Sequence, residues 1–162
     1  MKTTKATFKE KDFVFFISHS TDDIGNYVKG ICDILETCKI KHFFADRDAP
    51  IGQSLPSTIK NAIDESEVVL LVLTKNSKNS LWVNQEIGYA LGKGIPVIPL
   101  KKGKIAVEGL IDATRYVPMS DNPLETLQVL FSKMSNIQLS RTAEAAIGAI
   151  IGILQLTKNG GN

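Results

Sequence analysis

Trp82 and Glu86, four residues apart, are the pair in this sequence whose types and spacing suggest chemistry. A four-residue step on an α-helix leaves side chains on one face, about 40° apart in projection. An indole beside a carboxylate supplies an aromatic wall and a lowered local dielectric, a setting suited to electrostatic work. Spacing alone also fits an ordinary surface glutamate in a first helical turn, where the helix dipole favours negative charge; most such carboxylates are structural. Two other polar clusters stand out. Ser18-His19-Ser20-Thr21-Asp22-Asp23 follows an apolar run, and Asp46-Arg47-Asp48-Ala49-Pro50-Ile51-Gly52-Gln53-Ser54 is a turn-rich segment of mixed charge. The second reads either as a solvated loop or as a contact loop over a crevice.

The elements that must position these residues follow from hydrophobic patterning. Phe13–Ile17 and Val68–Leu73 are continuous apolar runs, as strands buried on both faces of a parallel sheet would be. Ile95–Leu100 is similar, with Pro96 and Pro99 predicting bends or a strand near the edge. Ile40–Phe44 and Tyr116-Val117 are weaker strand candidates. Helical periods lie between them: Ile24 through Cys38, Leu55-Ile59-Ile63 after Pro56, Val83-Ile87-Ala90-Leu91 before Gly92 and Gly94, and Leu124 through Met134 after Pro123. Strict alternation of strand and helix predicts an α/β domain of three layers with right-handed crossovers. A flavodoxin-like fold with a five-stranded parallel sheet in the order 2-1-3-4-5 suits this length. In that order the ligand crevice lies outside the carboxyl ends of strands one and three, where Ser18–Ser20 and Ser77–Glu86 should converge.

Several chemistries are excluded by what the chain lacks. Neither GxxxxGK[ST] nor a GxGxxG after the first strand is present, and Gly92-Lys93-Gly94 reads as a helix terminus. Two histidines, His19 and His42, and two cysteines, Cys32 and Cys38, form no zinc-ligand pattern, so no metal is expected. The cysteines read as reduced, mostly buried thiols. A phospho-acceptor receiver domain shares the sheet order and an acidic pair such as Asp22-Asp23. It also needs an aspartate at the end of strand three, where this chain has Leu73-Thr74-Lys75. Nineteen Lys and Arg against seventeen Asp and Glu leave a charge of +2, too small to indicate nucleic acid or a membrane surface as partner. No signal peptide is expected from the polar start, Met1–Asp12. The apolar run Ala145–Leu154 is shorter than the roughly 20 residues a bilayer span takes, so a cytoplasmic protein is expected.

Three motifs in order then carry a family resemblance. Phe13-Val14-Phe15-Phe16-Ile17-Ser18-His19-Ser20 with Asp22-Asp23, Asp46-Arg47-Asp48 through Gly52 with Leu55 and Ile59, and Ser80-Leu81-Trp82-Val83-Asn84-Gln85-Glu86 together resemble a Toll/interleukin-1 receptor (TIR) domain of the bacterial or archaeal type. Val83 stands where the family often has Cys. The resemblance covers about residues 12–135, with a polar lead at 1–11 and an additional helix and polar tail at 136–162. It implies that Glu86 is the catalytic glutamate of an enzyme that splits the nicotinamide–ribose bond of NAD+, which is substrate rather than cofactor. Nicotinamide is already a cationic leaving group, so the remaining task is to hold the ribose and stabilise an oxocarbenium-like transition state. By the same resemblance Ser18, His19, Ser20, Asp46, Arg47, Asp48, Gly52, Ser80 and Trp82 are expected to bind substrate. The product would be ADP-ribose or a cyclic isomer, the latter a signal to a separately encoded effector in anti-phage systems such as Thoeris. The alternative is a non-catalytic TIR adaptor acting by TIR–TIR contact.

Beyond the motifs, residues 142–156 predict a helix apolar on nearly every side, with Gly148 and Gly152 four apart. It must be covered, either by its own domain or by another copy of the chain through self-association. Removing residues 140–162 and measuring mass by light scattering separates the two. A lower mass with a folded remainder marks a subunit interface, and an unchanged mass marks packing within the chain.

Overall fold

The structure, a computed structural model, describes residues 13–44, 55–106 and 116–134, with positions 148, 151, 152, 155, 156, 159 and 160 near the end. Five strands form one sheet: β1 Val14–Ser18, β2 Lys41–Phe44, β3 Val68–Leu73, β4 Val97–Lys101 and β5 Val117–Pro118. Their order is β2-β1-β3-β4-β5 with every neighbouring pair parallel, as the alternation of elements predicts. The helices are α1 Lys29–Thr37, α2 Ser57–Glu65, α3 Lys75–Asn79, α4 Leu81–Gly92 and α5 Pro123–Met134.

Right-handed crossovers decide which face each helix covers. The chain moves outward from β1 to β2 through α1, then returns past β1 to β3 through α2, so α1 and α2 fall on opposite faces. Side-chain parity in the strands then sorts the core into two halves. Phe15, Ile17, Val68, Leu70 and Val72 pack with Ile31 and Leu35 of α1 and Leu127, Leu130 and Phe131 of α5. Phe16, Val69, Leu71 and Leu73 pack with Ile59 and Ile63 of α2 and Val83, Ile87 and Ala90 of α4. Both β1 and β3 are buried along their whole length, which accounts for their unbroken apolar sequence. On the first face, α1 and α5 approach closely at Gly30, where a Cβ would lie 3.0 Å from Pro123 Cγ. The Tyr27 hydroxyl bonds the buried Thr126 hydroxyl across the same contact, and burial raises the phenol's pKa above its ordinary value. Ile151, near the end of the chain, also packs on this half of the core. The rest of the proposed tail helix lies mostly outside the described residues, though Gly148, Ile151, Gly152, Gln155 and Leu156 are helical.

Three local features have identifiable physical causes. β4, with its two prolines, lies near the edge as expected, between β3 and the edge strand β5. Lys102 N donates to Leu73 O and Met119 N to Lys101 O, so even positions of β4 bond β3 and odd positions face β5. Among the described residues β5 pairs only with Leu100 and Lys101 and no strand residue stands opposite Pro99, so its missing N–H costs no ladder bond there. The helical period beginning at Ile24 yields regular helix only from Lys29. A short 3-10 turn at Thr21–Asp23 and a wide π-type turn at Ile24–Val28 come first, with Gly25 at φ −31°, ψ −172°. Glycine is the weakest helix former in that stretch after none but proline, and the backbone departs from helix there. Finally, the polar stretch after β3 contains α3, which forms on a reciprocal cap between Thr74 and Ser77.

Among the described residues no helix is long and apolar enough to cross a membrane. Cys32 and Cys38 are free and half-buried. Burial and the neighbouring Asp33 carboxylate push the Cys32 thiol up to about 11. An acid with a raised pKa stays neutral to higher pH, so Cys32 is almost all thiol at pH 8. Iodoacetamide at that pH should alkylate Cys32 at least tenfold more slowly than an unstructured cysteine, measured by peptide mass spectrometry. Rates should converge only as the pH approaches 11.

Candidate functional site

Parity in β1 turns Phe16 toward the α2/α4 side, and two residues later Ser18 faces the same way at the strand's carboxyl end. Across from it stands α4. Ser80 caps this helix by accepting a hydrogen bond from Val83 N at 3.4 Å, so the hydroxyl expected to meet substrate is engaged with the backbone. Asn84 Nδ2 donates to Ser80 O at 3.0 Å and to Lys78 O at 3.3 Å, fastening the corner between α3 and α4. From that start, Val83, Glu86, Ile87 and Ala90 are the buried face of α4.

Glu86 is therefore no surface glutamate. It is 0% exposed, and Ser18 Oγ donates to its Oε2 at 2.5 Å. The bond joins residues 68 positions apart and holds the end of β1 to the second turn of α4. Its length is in the range of a hydroxyl donating to a carboxylate, roughly 2.5–2.7 Å. The sequence did contain the signal for this burial. Glu86 occupies a position on the apolar stripe of its helix, three residues after Val83 and four before Ala90.

His19 and Ser20 are nearly as buried as Ser18, each 5% exposed. The His19 ring lies flat on Phe44 at the end of β2, with centroids 4.4 Å apart and planes within 3°. Its Nδ1 is 3.3 Å from Ile17 O, a contact with a carbonyl that only an N–H can make. Ser20 closes a turn: its carbonyl accepts from Asp23 N at 2.9 Å and its hydroxyl from Asp22 N at 3.4 Å. Trp82 is half-buried against the α2/α4 half of the core, one turn ahead of Glu86. Ser18–Ser20 and the α4 segment thus converge as the sheet order requires. Asp46, Arg47, Asp48 and Gly52 lie outside the described residues.

Two features of the site were not anticipated from the motifs. One is Phe44, which carries the His19 ring; its place at the end of a strand adjoining β1 was the available clue. The other is Asp23, whose carboxylate accepts from the Thr74 hydroxyl and from Asn76 Nδ2 at 2.9 Å, bridging the loops after β1 and β3. A groove of about 380 Å³ between β2 and α2 ends at Phe44. A larger hollow of about 730 Å³ lies by Val14, Ile40 and Glu65, toward the other end of the strands, and neither lining includes Glu86. The buried acid at the crevice end of the sheet marks the candidate site. No three His, Cys, Asp or Glu side chains gather as a metal site among the described residues.

Comparisons with known proteins bear on the family and the fold. A family model described as a TIR domain matches residues 15–131. A protein of Methanobrevibacter olleyae named as a probable 2′ cyclic ADP-D-ribose synthase, TcpO, is 25% identical over 80 residues. The match takes in 49% of this chain and 24% of that relative, so the alignment spans about a quarter of the relative's length. The crystal structure of the TIR domain of the Toll-related receptor TRR-2 from Hydra magnipapillata superposes with a TM-score of 0.59 at 19% identity, covering 75% of this chain and 98% of that one. TIR domains of the activated Roq1 resistosome give 0.49 at 18% identity, covering 89% and 84%.

Ser18→Ala removes the hydroxyl that Glu86 shares and leaves a buried acid with one donor fewer. The expected loss is about 1–3 kcal/mol of folding stability, read from the urea midpoint at constant slope.

Proposed function

The chain belongs to the TIR-domain family, and from that premise we propose that it cleaves the nicotinamide–ribose bond of NAD+ with Glu86 as the catalytic carboxylate. The observation that carries this reading is the buried acid itself, held by Ser18 at the carboxyl end of the sheet. A fold needs no acid on the apolar stripe of a central helix; replacing it by a hydrocarbon of similar shape would spare its desolvation. The relationship to a protein named as a probable cyclic ADP-ribose synthase supports the same substrate class.

In the proposed reaction the bond between the anomeric carbon and the nicotinamide nitrogen breaks, and the electron pair leaves with nicotinamide. The ribose is left as an oxocarbenium-like centre, whose positive charge the Glu86 carboxylate stabilises at short range in a site shielded from water. Addition of water then gives ADP-ribose and a proton; attack by a nucleophile of the same molecule gives a cyclic isomer and a proton. Ser18 orients the carboxylate, while His19, Ser20, Trp82, Asp46, Arg47, Asp48 and Gly52 form the surrounding substrate contacts in this reading. Ser80 contributes by capping the helix that carries Glu86. Since Glu86 is 0% exposed, the ribose reaches it only when the groups covering it move aside. Self-association, through the TIR domain or the C-terminal helix, is the proposed means of that change. A cyclic product would signal to a separately encoded effector in antiviral defence, in the cytoplasm.

The test is nicotinamide release from NAD+ by the purified chain, with Glu86→Gln beside it. The substitution keeps the shape and should lower the rate at least about 10²-fold, the scale of losing one electrostatic contact to a transition state. Equal rates in the two proteins would overturn the mechanism. An inactive wild type that still self-associates would favour the adaptor reading. Mass spectrometry of the nucleotide product distinguishes hydrolysis from cyclisation.

A further inference from the structure

The acidic pair Asp22-Asp23 has no part in the reaction proposed for Glu86, yet Asp23 bonds three other residues at the crevice, Ser20, Thr74 and Asn76. Its backbone N–H donates to Ser20 O at 2.9 Å, tying it to the buried turn that follows Ser18. Its carboxylate accepts from Thr74 Oγ1 through one oxygen and from Asn76 Nδ2 at 2.9 Å through the other. The Thr74 hydroxyl, with its proton directed at Asp23, keeps a lone pair for Ser77 N at 3.1 Å and so caps α3. The corner after α3 is fastened by Asn84 and by the Ser80 cap, and α4 then carries Glu86 back to Ser18.

These bonds close a ring: from Ser18 along the chain to Asp23, across to Thr74, through α3 and α4 to Glu86, and back to Ser18. α4 is anchored in the core by Val83, Ile87 and Ala90, but the two segments that Asp23 joins are not: Thr21–Asp23 buries no residue and α3 buries only Ser77. Such segments open locally at low free energy unless polar contacts tie them to the core. We propose that Asp23 is a positioning residue that clamps the loop after β1 to α3 and thereby sets the placement of Glu86 relative to Ser18, without touching substrate. This role rests on the reaction proposed for Glu86. Placement matters at this scale, because a misfit of about 1 Å can cost on the order of 10²-fold in rate.

The test compares Asp23→Ala, Asp23→Asn and Thr74→Val in the full chain, with Glu86→Gln as control. Asp23→Ala and Thr74→Val should lower kcat for nicotinamide release by about 10- to 100-fold while KM stays within about twofold. Asp23→Asn keeps an acceptor oxygen for Thr74 and should recover most of the rate. Hydrogen exchange supplies a readout independent of turnover: amides of residues 18–20 and 80–86 should exchange faster in Asp23→Ala, with α1 and α5 unchanged. Wild-type kcat in Asp23→Ala, or unaltered exchange at those amides, overturns the clamp. A uniform rise in exchange over the whole chain also overturns it, since that marks general destabilisation. If Asp23→Ala does not fold, Thr74→Val and Asp23→Asn carry the same comparison. If wild type releases no nicotinamide, or Glu86→Gln equals it, the proposed reaction fails separately, and exchange alone decides the role of Asp23.

Discussion

An acid group removed from water costs on the order of several kcal/mol unless neighbouring donors replace its hydration. Glu86 is buried on the core-facing side of α4, so the protein must bring a donor to it, and that donor is the last residue of β1. Much of the architecture can be understood as meeting this requirement. Ser18 has to end β1 on the correct parity, α4 has to lie on the α2/α4 side of the sheet, and β1 has to stand next to β3. A sheet in any order that separated β1 from β3 would leave the acid without its partner.

The surroundings of that bond are unusually polar for so buried a place. Ser18, His19 and Ser20 are all enclosed, and each is occupied: a carboxylate oxygen, a backbone carbonyl, and the turn amides. Interiors tolerate such groups when each finds a partner, and the resulting network is stiffer than apolar packing of the same volume. In the reaction proposed for Glu86, such stiffness would hold the carboxylate in one position. Meanwhile the two apolar halves of the core, one on each face of the sheet, provide the stability that lets the crevice end be polar.

A good part of this was legible before any coordinates. Unbroken apolar runs at Phe13–Ile17 and Val68–Leu73 announce buried parallel strands, and their alternation with helical periods leads to the sheet order observed. Less legible were features whose cause lies across the fold. Pro99 stands in a strand next to the edge, where β5 pairs only with Leu100 and Lys101 among the described residues. The helix expected from Ile24 begins regularly only at Lys29; its start is broken at Gly25, between Asp23, bonded to Thr74, and Tyr27, bonded to Thr126. The polar run after β3 contains a capped helix whose Thr74 hydroxyl is oriented from 51 residues away.

Glu86 shows where the two kinds of information divide. Residue types and periodicity by themselves determined the strands, the longer helices apart from where α1 begins, the family and the place of Glu86 on the stripe of Val83 and Ala90, because these depend on local patterns and motifs. Whether that acid was a solvated helix-end charge or an enclosed group was decided only by the tertiary structure. Burial and hydrogen bonding are properties of what lies opposite, and what lies opposite Glu86 is Ser18, brought there by the crossing of the chain over the sheet.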